Sequence, residues 1–153
     1  MKKLNLFVVL FVLLSLFVNP IFGSVEECIP KFNMILNELT KYNMQTIKDT
    51  FKYAELYPYV KESCFTGYQL TMYSNAIYAI IMVGDNNVTD MDVYVFDSEN
   101  KQIIIESANY LKFKDAIIIY YKPTYTGKHT IIFHLKGIAN GTSAIVSYGL
   151  AYK

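Results

Sequence analysis

The sequence predicts a mainly β protein: an antiparallel β-sandwich of jelly-roll or Greek-key type, carrying one N-terminal α-helix. Three observations predict it. From residue 67 onward the apolar residues recur with period two, in short runs rich in Ile, Val, Tyr and Thr. Each run is bounded by Gly, Pro, Asn or Asp, and no helical pattern intervenes. The single 3.6-residue stripe lies ahead of them, and 153 residues allow one ordinary domain rather than two.

Residues 1–23 are expected to form a cleaved signal peptide. Lys2 and Lys3 precede an apolar run from Leu4 to Val18, Asn19-Pro20 ends it, and Gly23 and Ser24 supply small residues for cleavage. That run is shorter than the roughly 20 residues needed to span a bilayer. The expected location is therefore secreted or periplasmic, with no stable membrane span after signal removal. Lys2 and Lys3 leave with the leader, so the net charge passes from +1 to −1. A near-neutral chain with 14 Lys and no Arg excludes an electrostatically driven nucleic-acid binder.

Residues 24–66 are expected to hold the helix and a tethered linker. Pro30 suits a first helical turn, and Phe32, Ile35, Leu36, Leu39, Tyr42 and Met44 approximate one apolar face, giving a helix from Pro30 to about Tyr53. Cys28 and Cys64 are the only cysteines, and an exported chain with an even count most simply pairs them. That disulfide would constrain the unfolded chain by about 3–4 kcal/mol.

Residues 67–153 are expected to form the sandwich. Its strands are placed at 67–73, 76–83, 91–97, 101–106, 116–121, 128–136 and 143–152. Met91, Val93 and Val95 share one face, with Asp92, Tyr94 and Phe96 on the other. Ala144, Val146, Tyr148, Leu150 and Tyr152 line one face of the last strand. Turns fall at 84–87, 97–100, 122–127 and 137–141.

Within these strands Thr89-Asp90-Met91-Asp92-Val93-Tyr94-Val95-Phe96-Asp97 is followed by a polar turn, Ser98 to Lys101. Then come Ala116 to Pro123 and Thr126-Gly127-Lys128-His129-Thr130-Ile131. This order, over about Tyr68 to Lys153, resembles the bacterial pre-peptidase C-terminal (PPC-like) domain family. His129 stands where that family usually has Tyr, and Asn100 where it usually has Gly. The resemblance implies a β-sandwich that is exported and non-catalytic, in a family some of whose members bind calcium.

Asp85, Asp90, Asp92 and Asp97, with Asn86 and Asn87, form the densest cluster of hard oxygen ligands and are the candidate calcium site. The competing reading is that these residues make turns and bind backbone amides. His129 and His134, five apart on one strand, point to opposite faces and cannot share a metal. No G-x-S-x-G elbow and no spaced pair of carboxylates selects a catalytic residue, so no enzyme is expected. The 14 Tyr exceed what so small a domain can bury, and Tyr94, Tyr121 and Tyr125 are the candidate binding surface. An A- and T-rich genome, favouring Tyr, Lys, Asn and Ile codons, would also account for them. Asn87-Val88-Thr89 and Asn140-Gly141-Thr142 are N-glycosylation sequons.

The expected function is a non-catalytic binding module contacting an envelope protein or glycan. A metal-assisted secreted hydrolase and a structural envelope subunit joined by a strand edge are the alternatives.

Overall fold

The computed structural model describes residues 24–103, 110–112 and 115–153, so the expected leader and the second half of the strand expected at 101–106 lie outside the described residues. The helix α1 spans Val25–Lys41. Strands β1 (Gln45–Thr46), β2 (Lys52–Leu56), β3 (Phe65–Met72), β4 (Tyr78–Gly84) and β5 (Val88–Phe96) follow. Next come β6 (Gln102–Ile103), β7 (Tyr110–Lys112), β8 (Ala116–Tyr121), β9 (Gly127–Ile138) and β10 (Ala144–Tyr152).

All pairings are antiparallel, and they form two sheets. One runs β1-β10-β4-β8-β7, with β2 also on β10; the other runs β3-β9-β5-β6. Among the described residues the observed fold is thus the mainly β sandwich with one helix. Its core lies between the sheets, where Ile80, Met82, Ile117, Ile119, Val146 and Leu150 meet Met91, Val95, Ile131, Phe133 and Leu135, all essentially without solvent exposure.

A second core covers the opposite face of the larger sheet. Phe32, Ile35 and Leu39 of α1 pack on Ala79, Ile81, Val83, Ile118 and Ala151. Both faces of β4 are therefore buried, which is why its sequence is an unbroken apolar run rather than an alternating one. Alanines on that face let the helix approach. Gly149 goes further: a Cβ there would sit 2.4 Å from the Phe51 ring, which meets Phe32 edge-on at 5.1 Å.

The helix departs from expectation at both ends. It starts at Val25, five residues early, because Ser24 caps it: the Ser24 hydroxyl accepts from the Glu26 N–H at 3.1 Å. Glu26 and Glu27 add negative charge to the first turn. Pro30 therefore lies inside the helix rather than in its first turn. It stops at Lys41 because Asn43 takes a φ of 60°, a left-handed conformation Asn tolerates better than most residues. The Met44 N–H then donates to the Leu39 carbonyl and the Asn43 N–H to that of Thr40, a Schellman closure. Met44 and Leu39 share the second core, as that motif favours.

The segment expected to continue the helix instead supplies β1, a short 3-10 turn at Lys48–Thr50, and β2. These act as one interrupted strand along β10. Across the break the Thr50 hydroxyl accepts from the Leu150 N–H at 2.9 Å, while the Ile47 N–H donates to the Leu150 carbonyl. The ladder loses no partner.

The expected Cys28–Cys64 disulfide is not formed; both residues are buried free thiols. The fold sends them to different sheets. Cys28 belongs to α1 and faces the larger sheet, its thiol donating to the Ile145 carbonyl of β10 at 3.5 Å. Cys64 leads into β3, and its carbonyl accepts from the Leu135 N–H of β9. Burial, with Asp85 nearby, pushes the Cys28 thiol up to about 11. Native protein is expected to resist iodoacetamide at neutral pH, and both thiols to alkylate once urea unfolds it without reductant. An unfolded chain with no reactive thiol would restore the disulfide.

Candidate functional site

Since α1 covers the outer face of the larger sheet, the outer face of β3-β9-β5-β6 is the one that no helix among the described residues covers. Register fixes what it displays. Phe65, His134 and Asp92 stand abreast across β3, β9 and β5; the next row out is Gly67, Ile132 and Tyr94, and then Gln69, Thr130 and Phe96.

Three rings form a strip across this face. Phe65, 45% exposed, stacks on His134 with centroids 4.3 Å apart and planes 26° from parallel. Tyr94 lies on the other side of His134 at 6.0 Å and 32°. Gly67 adds no side chain beside them, and β3 admits none: a Cβ there would sit 2.1 Å from the Ile131 carbonyl oxygen.

Charge lies at one end of the strip. Lys136 Nζ is 3.2 Å from an Asp90 carboxylate oxygen and 3.1 Å from one of Asp92. Tyr94 donates its hydroxyl proton to Asp92 at 3.3 Å. Hydrogen bonds to Asp92 and Asp90 raise the Lys136 ammonium above the ordinary lysine range. Burial, reinforced by Asp92, raises the Tyr94 phenol. Burial outweighs Asp92 at His134 and lowers its imidazole, whose Nδ1 is enclosed with no hydrogen-bond partner among the described residues. The face thus offers flat apolar rings beside a fixed array of acceptors and a donor.

The expected site residues divide among three places. Asp85 is wholly buried: its carboxylate accepts from the Asn87 N–H at 2.8 Å and the Ile145 N–H at 2.7 Å. Asp90, Asp92 and Tyr94 belong to the open face. Asp97 organises its own turn, accepting from the Glu99 and Lys101 N–H groups at 2.9 and 2.8 Å. The four carboxylates of the candidate calcium site do not converge, and among the described residues no three of His, Cys, Asp and Glu are placed to hold one ion. The turn reading describes Asp85 and Asp97; Asp90 and Asp92 hold Lys136.

Tyr121 and Tyr125 also sit apart from Tyr94. Tyr121 is buried, correcting its place on the expected surface, because β8 turns it into the core. Its hydroxyl donates to His129 Nε2 at 3.1 Å, and Nδ1–H donates to the Gly127 carbonyl at 2.9 Å. Burial pushes the Tyr121 phenol up to about 12. Tyr125 stacks on the other side of His129 at 5.2 Å, and Gly127 leaves it room. His129 is therefore a buried core residue, with His134 on the opposite face as its spacing predicts. A cleft of about 310 Å³ beside this cluster brings Asp97, Tyr121 and Tyr125 together.

Asn87 is buried as well, with its side-chain amide donating to the Asn140 and Ser143 carbonyls. The first sequon is thus locked into the fold, whereas Asn140 lies on an exposed turn.

Sequence reasoning missed Phe65, Gly67, His134 and Lys136 as members of one face. No local signal could have joined them, because only the β3–β9–β5 register does. Among known proteins, no family model matches the chain and no curated protein matches it. No helix among the described residues is long and apolar enough to cross a membrane.

Proposed function

We propose that the protein is an exported, non-catalytic module that binds a glycan on the outer face of its four-stranded sheet. One observation carries this reading: the Phe65–His134–Tyr94 strip lies beside the Asp90–Asp92–Lys136 array on a face that no helix among the described residues covers. A sugar ring has an apolar C–H face and a rim of hydroxyls. Flat aromatic rings suit the first, and fixed carboxylates with an ammonium suit the second. Rings held on strands cost little entropy to order on binding. The leader at residues 1–23 and the PPC-like motif order support export and the lack of catalysis.

Retention on insoluble cell-wall polysaccharide, chitin and cellulose tests the proposal. Wild-type protein is expected to be held by at least one. Phe65→Ala and Tyr94→Ala should each weaken binding about tenfold, with little change in melting temperature. Retention by none of them, or full retention of both variants, would overturn it.

A further inference from the structure

Among the described residues the smaller sheet ends at β3, which pairs with β9 on one side and with no strand on the other. Proteins commonly blunt such edges with short strands, prolines or charges. Other edges here follow that rule. β6 has two residues and follows Lys101, β7 has three and ends in Lys112, and β2 carries Lys52 and Glu55. β3 runs for eight residues, Phe-Thr-Gly-Tyr-Gln-Leu-Thr-Met, with no charge and no proline.

Its hydrogen-bonding groups can be assigned. The Cys64 carbonyl accepts from the Leu135 N–H at 2.9 Å, and the register then runs unshifted from Phe65 opposite His134 to Met72 opposite Gly127. Alternation therefore turns the even-numbered residues toward β9. The N–H and C=O of Phe65, Gly67, Gln69 and Thr71 face the open side. Beside the same edge an apolar cleft of about 570 Å³ runs from Ile47 and Tyr152 to Leu70 and Thr71. Tyr68 and Leu70, which point inward, are only half-buried.

We propose that two copies of this chain pair antiparallel through β3, joining their four-stranded sheets into one of eight strands. Unpaired backbone groups call for an extended strand, and the charge pattern selects this one. In a two-fold pair each strand meets itself, so any charge near the axis would oppose its own sign; among the described residues β3 is the one long edge without any. Opposed residues in an antiparallel pair share a face, which puts the axis beside Tyr68 or beside Gln69. Gln69 then faces the second copy's Gln69 or Gly67. Such pairing would also set two Phe65–His134–Tyr94 strips on one continuous face, a bivalent arrangement that rests on the glycan reading.

Sedimentation equilibrium on protein expressed from its full sequence, up to about 100 µM, tests the pairing. A two-copy mass that dissociates on dilution is expected. Gln69→Lys and Gln69→Glu, both on the exposed face, should each weaken association at least about a hundredfold, while their equimolar mixture restores the two-copy mass. Gln69→Arg, which sets the same charge beside the axis, replaces Gln69→Lys if that variant fails to fold. A one-copy mass for wild type at the highest concentration, or charged variants that associate as wild type does, would overturn the proposal. Because mass is read without any sugar present, its failure is separate from failure of glycan binding.

Discussion

Phe133→Ala is expected to lower the unfolding free energy by about 3–5 kcal/mol, the largest loss for any single truncation here. Phe133 has no solvent exposure and sits on β9, which pairs with both β3 and β5. Its ring lies 4.6 Å from that of Tyr148 on the facing sheet and 5.8 Å from that of Tyr68. Removing it empties the contact between the sheets, and Tyr148 is held back from following, since its hydroxyl is bonded to that of Thr66. The cost is then the lost transfer energy plus the cavity. Phe133→Leu, which keeps most of the volume, should lose under about 1.5 kcal/mol. Urea unfolding separates the two; a loss below about 1.5 kcal/mol for the alanine variant would mean that the sheets close over the gap.

Asp85→Ala is expected to cost about 3 kcal/mol or more. Its two carboxylate oxygens bind the Asn87 and Ile145 N–H groups, and its own N–H donates to the Ile145 carbonyl. The β4–β5 turn is thereby sewn to β10 in a place water does not reach. Alanine would leave two buried donors without acceptors, the costly case in hydrogen-bond exchange. Asp97 offers an internal control, because it binds two backbone N–H groups of its own turn in a setting open to solvent. Asp97→Ala should lose only about 1 kcal/mol. Equal losses at the two sites would show that burial does not set the cost.

The sandwich was readable because alternation is a local property. Met91, Val93 and Val95 are buried with Asp92, Tyr94 and Phe96 half-exposed, as their spacing predicts. The helix boundaries were readable in principle: Ser24 three residues before Glu27 marks the start, and Asn43 marks the stop. Apolar residues at Tyr42 and Met44 happen to continue the stripe across that stop, which hid β1 and β2. Even so, β2 reads weakly as a strand, because an edge strand buries little: Leu56 alone of its five residues is buried. The candidate face was half-legible. Tyr94, Asp90 and Asp92 stand together in the sequence, but Phe65 meets His134 across 69 positions, which no spacing rule reaches.

β10 bonds β4 on one side and both β1 and β2 on the other, and the Asp85 turn and Cys28 also rest on it. It is the strand latest in chain order, while much of what it organises is earliest, with Gln45 opposite Tyr152. Until β10 is present, β1 and β2 have no strand to pair with, and a helix of 17 residues is marginal without a surface to pack on. Loop closure over about a hundred residues must precede that reward, which places the protein among slow folders. A chain that remains loose until β10 arrives keeps its unpaired strands open to proteases and to other chains for all of that time.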